Sequence, residues 1–367
     1  MTIRIAERLH PFSHLPGALA LLPKTDLVVQ FFPVRICFFR CGEAETLFFL
    51  DWDIAGPVQE FTAELDLEHS CLRAYGKSAK GYFRYVMRHQ TDGVAVHLEK
   101  CPQPFLQCRL SSSGQSYRLA KGENVLIPVS FSGQIPLLSR ERLSLGMHKQ
   151  QDWDLLKRRM EFKEIFPIWM RLGQISPQLP PFAAAKGALR LMQQCAEYID
   201  GGRKQEVLLL FEKLFLAGFE GINVPRLFDT EHQGLLAEEA PEKGDPSPLL
   251  LLTEGAALIR SLFFKEELGA LYFLPCLPSD FHAGRFIHVQ TRAGDQVDFE
   301  WNKKQLGGIK LHAYATCTMH LHVSRHLRKC RIRSSIRDRG IELAIEEGKL
   351  LLDVQAKQPV IIDRFQK

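Results

Sequence analysis

Several sequence signals are missing from this chain of 367 residues, and each absence narrows what it can be. No apolar stretch approaches the roughly 20 residues that a membrane-crossing helix needs, so no membrane partner is expected. The nine cysteines include no Cys-x-x-Cys pair and are odd in number. Cys37 and Cys276 lie inside apolar runs, so the set reads as reduced thiols rather than a disulfide or zinc framework. The first residues, MTIRIAERLHPFSHLPG, interrupt their apolar content with Glu7, His10 and Pro11, where a signal peptide needs an unbroken run. A cytoplasmic location is the expectation from these features. No GxSxG elbow, P-loop or dinucleotide fingerprint occurs, so no nucleotide or other cofactor is expected. The net charge of +5 is too small to imply a general attraction to nucleic acid or anionic surfaces.

What is abundant is phenylalanine, 25 residues against 7 tyrosines, which favours aromatic packing between sheet layers over Tyr-rich binding loops. Strand-like runs open the chain: LVVQFFPVRICFF, ETLFFLDWDI, GYFRYVMRH, GVAVHLEK, FLQCRL and NVLIPVSF. Turn signals at CGEAE, Asp92-Gly93 and Lys121-Gly122 separate several of them. Short strands at regular spacing predict a β-sandwich over 1–142.

Helical spacing begins at DWDLLKRRMEFKEIFPIWMRLGQ, where Asp152 is the predicted N-cap and Pro167 the predicted kink or break. A Pro-rich hinge, SPQLPPF, precedes a second helix from Ala183 that ends at Gly201-Gly202. KQEVLLLFEKLFLAGFEG predicts a third, 229–248 reads as an exposed loop, and Thr253 is the predicted cap of a fourth that Gly269 closes. From Ala270 alternating runs return. The expected fold is therefore α+β and β-rich: an N-terminal β-sandwich over 1–142, a short helical middle over 143–269, and a C-terminal β-domain over 270–367.

Within 254–312 lie an apolar helix, LPCLP at 274–278, QTRAG ending at Gly294, and VDFEW at 297–301. In order and spacing this set resembles the junction between barrel and C-terminal β-domain in the inverting α-L-fucosidase family of glycoside hydrolases. That family runs through a Leu-Pro-Ala-Leu-Pro strand and an Arg-Ala-Arg-Gly-Gly segment into Asp-Ile-Glu-Trp. The resemblance implies a β-sandwich, an (α/α)₆ barrel and a C-terminal β-domain in that order. The chain departs from the family in two ways. Too few residues lie between Leu143 and Gly269 for a full barrel, so the barrel is expected to be truncated. Where the family carries Asp-Gly-Asn-Phe-Gly, with an Asp that helps activate water, this chain reads LLLTEG at 250–255. Neither that Asp nor that Asn is present, and Glu254 is the nearest carboxylate.

Inverting glycosidases need an acid and a base about 6.5 to 9.5 Å apart. Among the helical carboxylates Glu161, Glu164, Glu197, Asp200, Glu212, Glu220 and Glu254, the choice falls on Glu220. The sequence FEGINVP sets it at a helix end among apolar and turn residues, with Asn223 beside it. Glu254 is the second catalytic candidate, with a structural role at its helix N-terminus as the competing reading. Sugar sites pair an aromatic face with polar groups, which singles out Trp52 between Asp51 and Asp53, and Trp153 and Trp169 on the first helix; core packing is the competing role for each Trp. His320 and His322 share a strand face with His312 and His326 nearby, but no third ligand at fixed spacing joins them, so no metal site is expected.

One basic run stands out, RHLRKCRIRSSIRDR at 325–339, which reads as a solvated strand edge. It lacks the interleaved aromatics of single-strand binders, so nucleic acid is not the expected partner. The favoured expectation is a glycosidase-related, catalytically degenerate protein for carbohydrate recognition or protein assembly, with a carbohydrate ligand and a protein partner or second copy as possible associates. An active hydrolase with a rebuilt carboxylate site, and a basic module for nucleic acid or an anionic surface, are the alternatives.

Overall fold

A computed structural model describes residues 3–134, 139–146, 150–180, 186–235, 242, 244–335 and 337–367. The end of the Pro-rich hinge, the start of the second expected helix at 183–185 and part of the 229–248 loop lie outside these residues. The fold is mixed α+β and strand-rich, with sheet modules at both ends and a short helical middle.

Two antiparallel six-stranded sheets form the first module. One contains Gln59–Asp66, Cys71–Ser78, Gly81–Gln90 and Gly93–Lys100; the other contains Leu27–Phe31, Arg35–Arg40, Thr46–Trp52 and Leu106–Leu110. Alternation along Thr46–Trp52 sends Trp52 inward, where its ring stacks on Tyr85 of the opposite sheet at 5.0 Å. Such a ring pair adds about 0.5–1.5 kcal/mol to the area it buries.

Among the described residues the helical middle has five helices: α1 (Trp153–Arg159), α2 (Phe162–Ile175), α3 (Ala188–Asp200), α4 (Val207–Gly218) and α5 (Leu250–Phe263). Asp152 caps α1 as expected, accepting from Leu155 N–H. The break expected at Pro167 falls instead at Met160, whose left-handed φ of 50° lets its N–H close on Leu156 and Lys157. The helix then runs on through Pro167 as α2. Eleven of the fourteen α2 residues are buried, the mark of a helix enclosed on all sides. The expected Thr253 cap is also displaced: α5 starts at Leu250, and the Thr253 hydroxyl turns back to Leu249 O. Gly269 closes no helix. The chain passes from Phe263 straight into the strand Phe264–Glu267, and Gly269, at φ 78°, makes the turn into Ala270–Phe273.

Helices α2 and α5 meet at unusually short range. A Cβ on Gly173 would lie 2.2 Å from Leu252 O, and one on Gly255 2.5 Å from the Trp169 ring. At the same crossing Trp169 Nε1 donates to Leu251 O at 2.9 Å.

The C-terminal module holds a seven-stranded antiparallel sheet and a four-stranded sheet, with Phe273 of the smaller edge-on to Phe299 of the larger at 5.2 Å. The first strand of the larger sheet is Arg142–Ser144, which pairs with Gly284–Gln290. The basic run is not the sheet edge. Its strand Lys329–Arg333 lies between Pro359–Gln366 and Ile341–Ala344, and Asp363 receives Arg331 and Arg333, each at 2.7 Å. Ile336 of that run lies outside the described residues.

Replacing Gly255 by Ala should destabilise the protein by about 1–3 kcal/mol through overpacking against Trp169, although Ala is the better helix former. Urea denaturation of Gly255→Ala, with the exposed neighbour Glu254→Ala as control, checks this; equal stability of both would remove the tight crossing.

Candidate functional site

Glu220 lies on the wall of a cleft of about 1040 Å³ between the sandwich and the helical middle, a volume at the upper end of ligand pockets. Its placement begins at the end of α4, where Arg226 folds back and donates to Leu216 O and Ala217 O, both at 3.1 Å, satisfying helix-end carbonyls. Asp229 holds that guanidinium at 3.2 Å and accepts from Gly234 and Leu235 N–H. Burial works against the Asp229 charge, but those backbone donors and Arg226 keep its carboxyl below the usual range. After Gly218 the chain makes a small hairpin, Phe219–Glu220 against Val224–Pro225. Gly221, at φ 45°, allows the tip to press on the sandwich: a Cβ there would meet Leu19 O at 2.5 Å, and Ile222 N–H donates to the same oxygen at 2.7 Å. Glu220 thus follows directly on the end of α4, in a hairpin set against the sandwich sheet.

Burial pushes the Glu220 carboxyl above the usual carboxylate range, with Arg226 and Lys157 opposing. Cys41 faces the same region with its Sγ 3.7 Å from Pro225 O, and burial, then Asp26 and Glu220, push its thiol up. Inert thiol character follows. Also lining the cleft, Asp26 lies 2.7 and 2.8 Å from Arg40 Nη1, while Arg40 Nη2 donates to Ser130 O. Glu242 and Asp245 both pair with Lys186, at 2.6 and 2.8 Å. Phe39 and Phe228 supply half-buried aromatic edges.

The other expected site residues are not gathered here. Glu254 is exposed on α5 and is not among the cleft-lining residues. Asn223 is wholly buried at the hairpin tip with φ 56°, and its amide has no hydrogen-bond partner among the described residues. Trp153 and Trp169 are interior, in one aromatic cluster with Phe162, Phe166, Phe211 and Phe215. Around Trp52, Asp51 points outward into an ion pair with Arg35 and Asp53 is exposed, so the three do not converge. The segments carrying the glycosidase resemblance have structural contacts: Leu274 and Cys276 N–H donate to the α5 carbonyls of Phe263 and Leu262, and Trp301 stacks on Phe263 at 5.3 Å.

Sequence reading passed over Asp26, Arg40, Phe39 and Phe228, whose strand and loop positions gave no local sign of convergence. It also passed over His10, Glu64 and Asp66, whose ligand atoms lie within 4.8 Å of one another. Arg73 sits 2.8 Å from Glu64 and 2.5 Å from Asp66, supplying the positive charge a cation would bring. Hydrogen bonding to Glu64 raises the His10 pKa, and the group reads as a half-buried ion network.

A raised acid pKa means that the folded state binds more protons than the unfolded one between the two values, so Glu220 lowers stability as pH rises through that window. Glu220→Gln should therefore melt higher than the parent at neutral pH, with the advantage vanishing below about pH 4. Thermal melts across that range check it; an advantage that grows toward acid would contradict the burial. No family model matches the chain, and no curated protein sequence matches it.

Proposed function

We propose that this chain is a glycosidase-related carbohydrate-recognition protein whose sugar site is the cleft beside Glu220. The observation that carries the reading is a burial-raised carboxyl on the wall of a large cleft that also holds an Asp26–Arg40 pair and two aromatic edges. A pyranose has apolar faces ringed by hydroxyls. Phe39 and Phe228 suit the faces, while Glu220, able to donate when protonated, and the ion pair suit the hydroxyls.

Recognition is favoured over hydrolysis because inversion needs a second, unengaged carboxylate about 6.5 to 9.5 Å from the acid. In the cleft, Asp26 is engaged by Arg40, and Asp245 and Glu242 by Lys186; Glu43 remains, on an exposed turn. The resemblance around LPCLP and VDFEW supplies the link to glycosidases, and the LLLTEG stretch accords with lost chemistry.

Isothermal titration with fucose- and galactose-terminated glycans should give a heat of binding that Glu220→Ala abolishes without lowering the melting temperature. No heat across the panel would withdraw the reading. Chromogenic α-L-fucosides and α-galactosides should show no turnover; turnover lost in Glu220→Gln would replace recognition with hydrolysis.

A further inference from the structure

A second cleft, of about 840 Å³, opens in the C-terminal module under the LPCLP segment and is closed on one side by the loop between α3 and α4. Four cations from separate parts of the chain line it: Lys204, Lys304, Arg325 and Lys349. Glu347 is the single acidic residue among the described residues of the lining. None of the four cations has an ion pair among the described residues, in contrast to the nearby basic strand, where Arg331 and Arg333 are taken by Asp363 and Lys329 by Glu342. Four like charges around one concavity repel each other, and an anion that fills the space relieves that repulsion. The wall also carries a ring platform, Tyr272 stacked on His322 at 4.3 Å and 20°. Burial, then Lys349, hold the His322 pKa below its ordinary value, so the ring adds an aromatic face more than a fifth charge. The walls meet closely: a Cβ on Gly348 would lie 2.6 Å from Val323 O and 3.2 Å from the Arg325 backbone.

We propose that this cleft binds a small soluble ligand carrying two or more phosphate groups. The number of unpaired cations calls for several negative charges, and the bounded volume suits a small molecule. A nucleic-acid strand would need a basic track running beyond the cleft, and the adjoining strand's charges are neutralised by Asp363 and Glu342.

The test uses the full chain and inorganic tripolyphosphate as probe, titrated calorimetrically at low and at moderate salt. Binding that weakens with salt, and that falls about tenfold or more in Lys204→Glu/Arg325→Glu, is expected. Both positions are exposed, so the fold should tolerate the change, and an unaltered melting curve verifies it. Lys121→Glu, an exposed lysine on the sandwich, should bind like the parent. Absent heat, or an equal loss in Lys121→Glu, overturns the proposal. So does a single-stranded oligonucleotide that binds more tightly than tripolyphosphate and keeps its affinity in the double variant.

Discussion

Helices α2 and α5 approach so closely at Gly173 and Gly255 that a single added Cβ on either would collide with its neighbour. That contact fixes the geometry of everything attached to the two helices. The chain entering α2 comes from the sandwich by way of the strand Arg142–Ser144 and α1, and the chain leaving α5 becomes the first strand of the smaller C-terminal sheet. Arg260, near the end of α5, pairs with Glu141 at 3.0 Å and donates to Gln290 O at 2.7 Å, so the same helix also grips the larger sheet. Glu141 in turn accepts from Gln290 N–H, which closes the triangle. Small residues at a helix crossing bring backbones together, and here they bring together three modules rather than two helices.

The Glu220 cleft depends on that arrangement. Its hairpin is anchored at one end by Arg226 on the α4 carbonyls and at the other by Leu19 of the sandwich. A carboxyl placed there loses hydration, and a wholly buried Asn223 amide without a partner among the described residues adds a further cost, of about 1–3 kcal/mol for an unmade hydrogen bond. Local costs that packing elsewhere must offset tend to gather at functional sites, and two of them lie three residues apart here.

The order of β, α and β segments was legible because strand alternation, Gly turns and the Asp152 cap are local signals. Failures arose where tertiary contacts overrode local rules. Pro167 did not break its helix, since α2 is enclosed on nearly every side and Met160 had already taken the left-handed turn. Thr253 resembles a cap, yet the helix had begun at Leu250, and its hydroxyl bonds backward instead. Glu220 stood out in the sequence as an acid at a helix end among apolar and turn residues, but Asp26, Arg40 and Phe39, which line the same cleft, lie nearly two hundred residues away in sequence, beyond the reach of any spacing rule. The tryptophans were legible as large apolar groups, and nothing in a single sequence separates a ring that faces a ligand from one that faces Phe215.

The larger C-terminal sheet borrows its outermost strand, Arg142–Ser144, from a point in the chain that precedes α1. The last module is thus not a contiguous unit: a fragment starting at Ala270 would present Gly284–Gln290 as a bare edge, with unpaired N–H and C=O groups ready to take up a strand from another copy. During folding, that edge stays open until a closure spanning the whole helical segment has been made. The borrowed strand acts as a latch, and its cost is that the three modules must be made, kept and inherited as one piece.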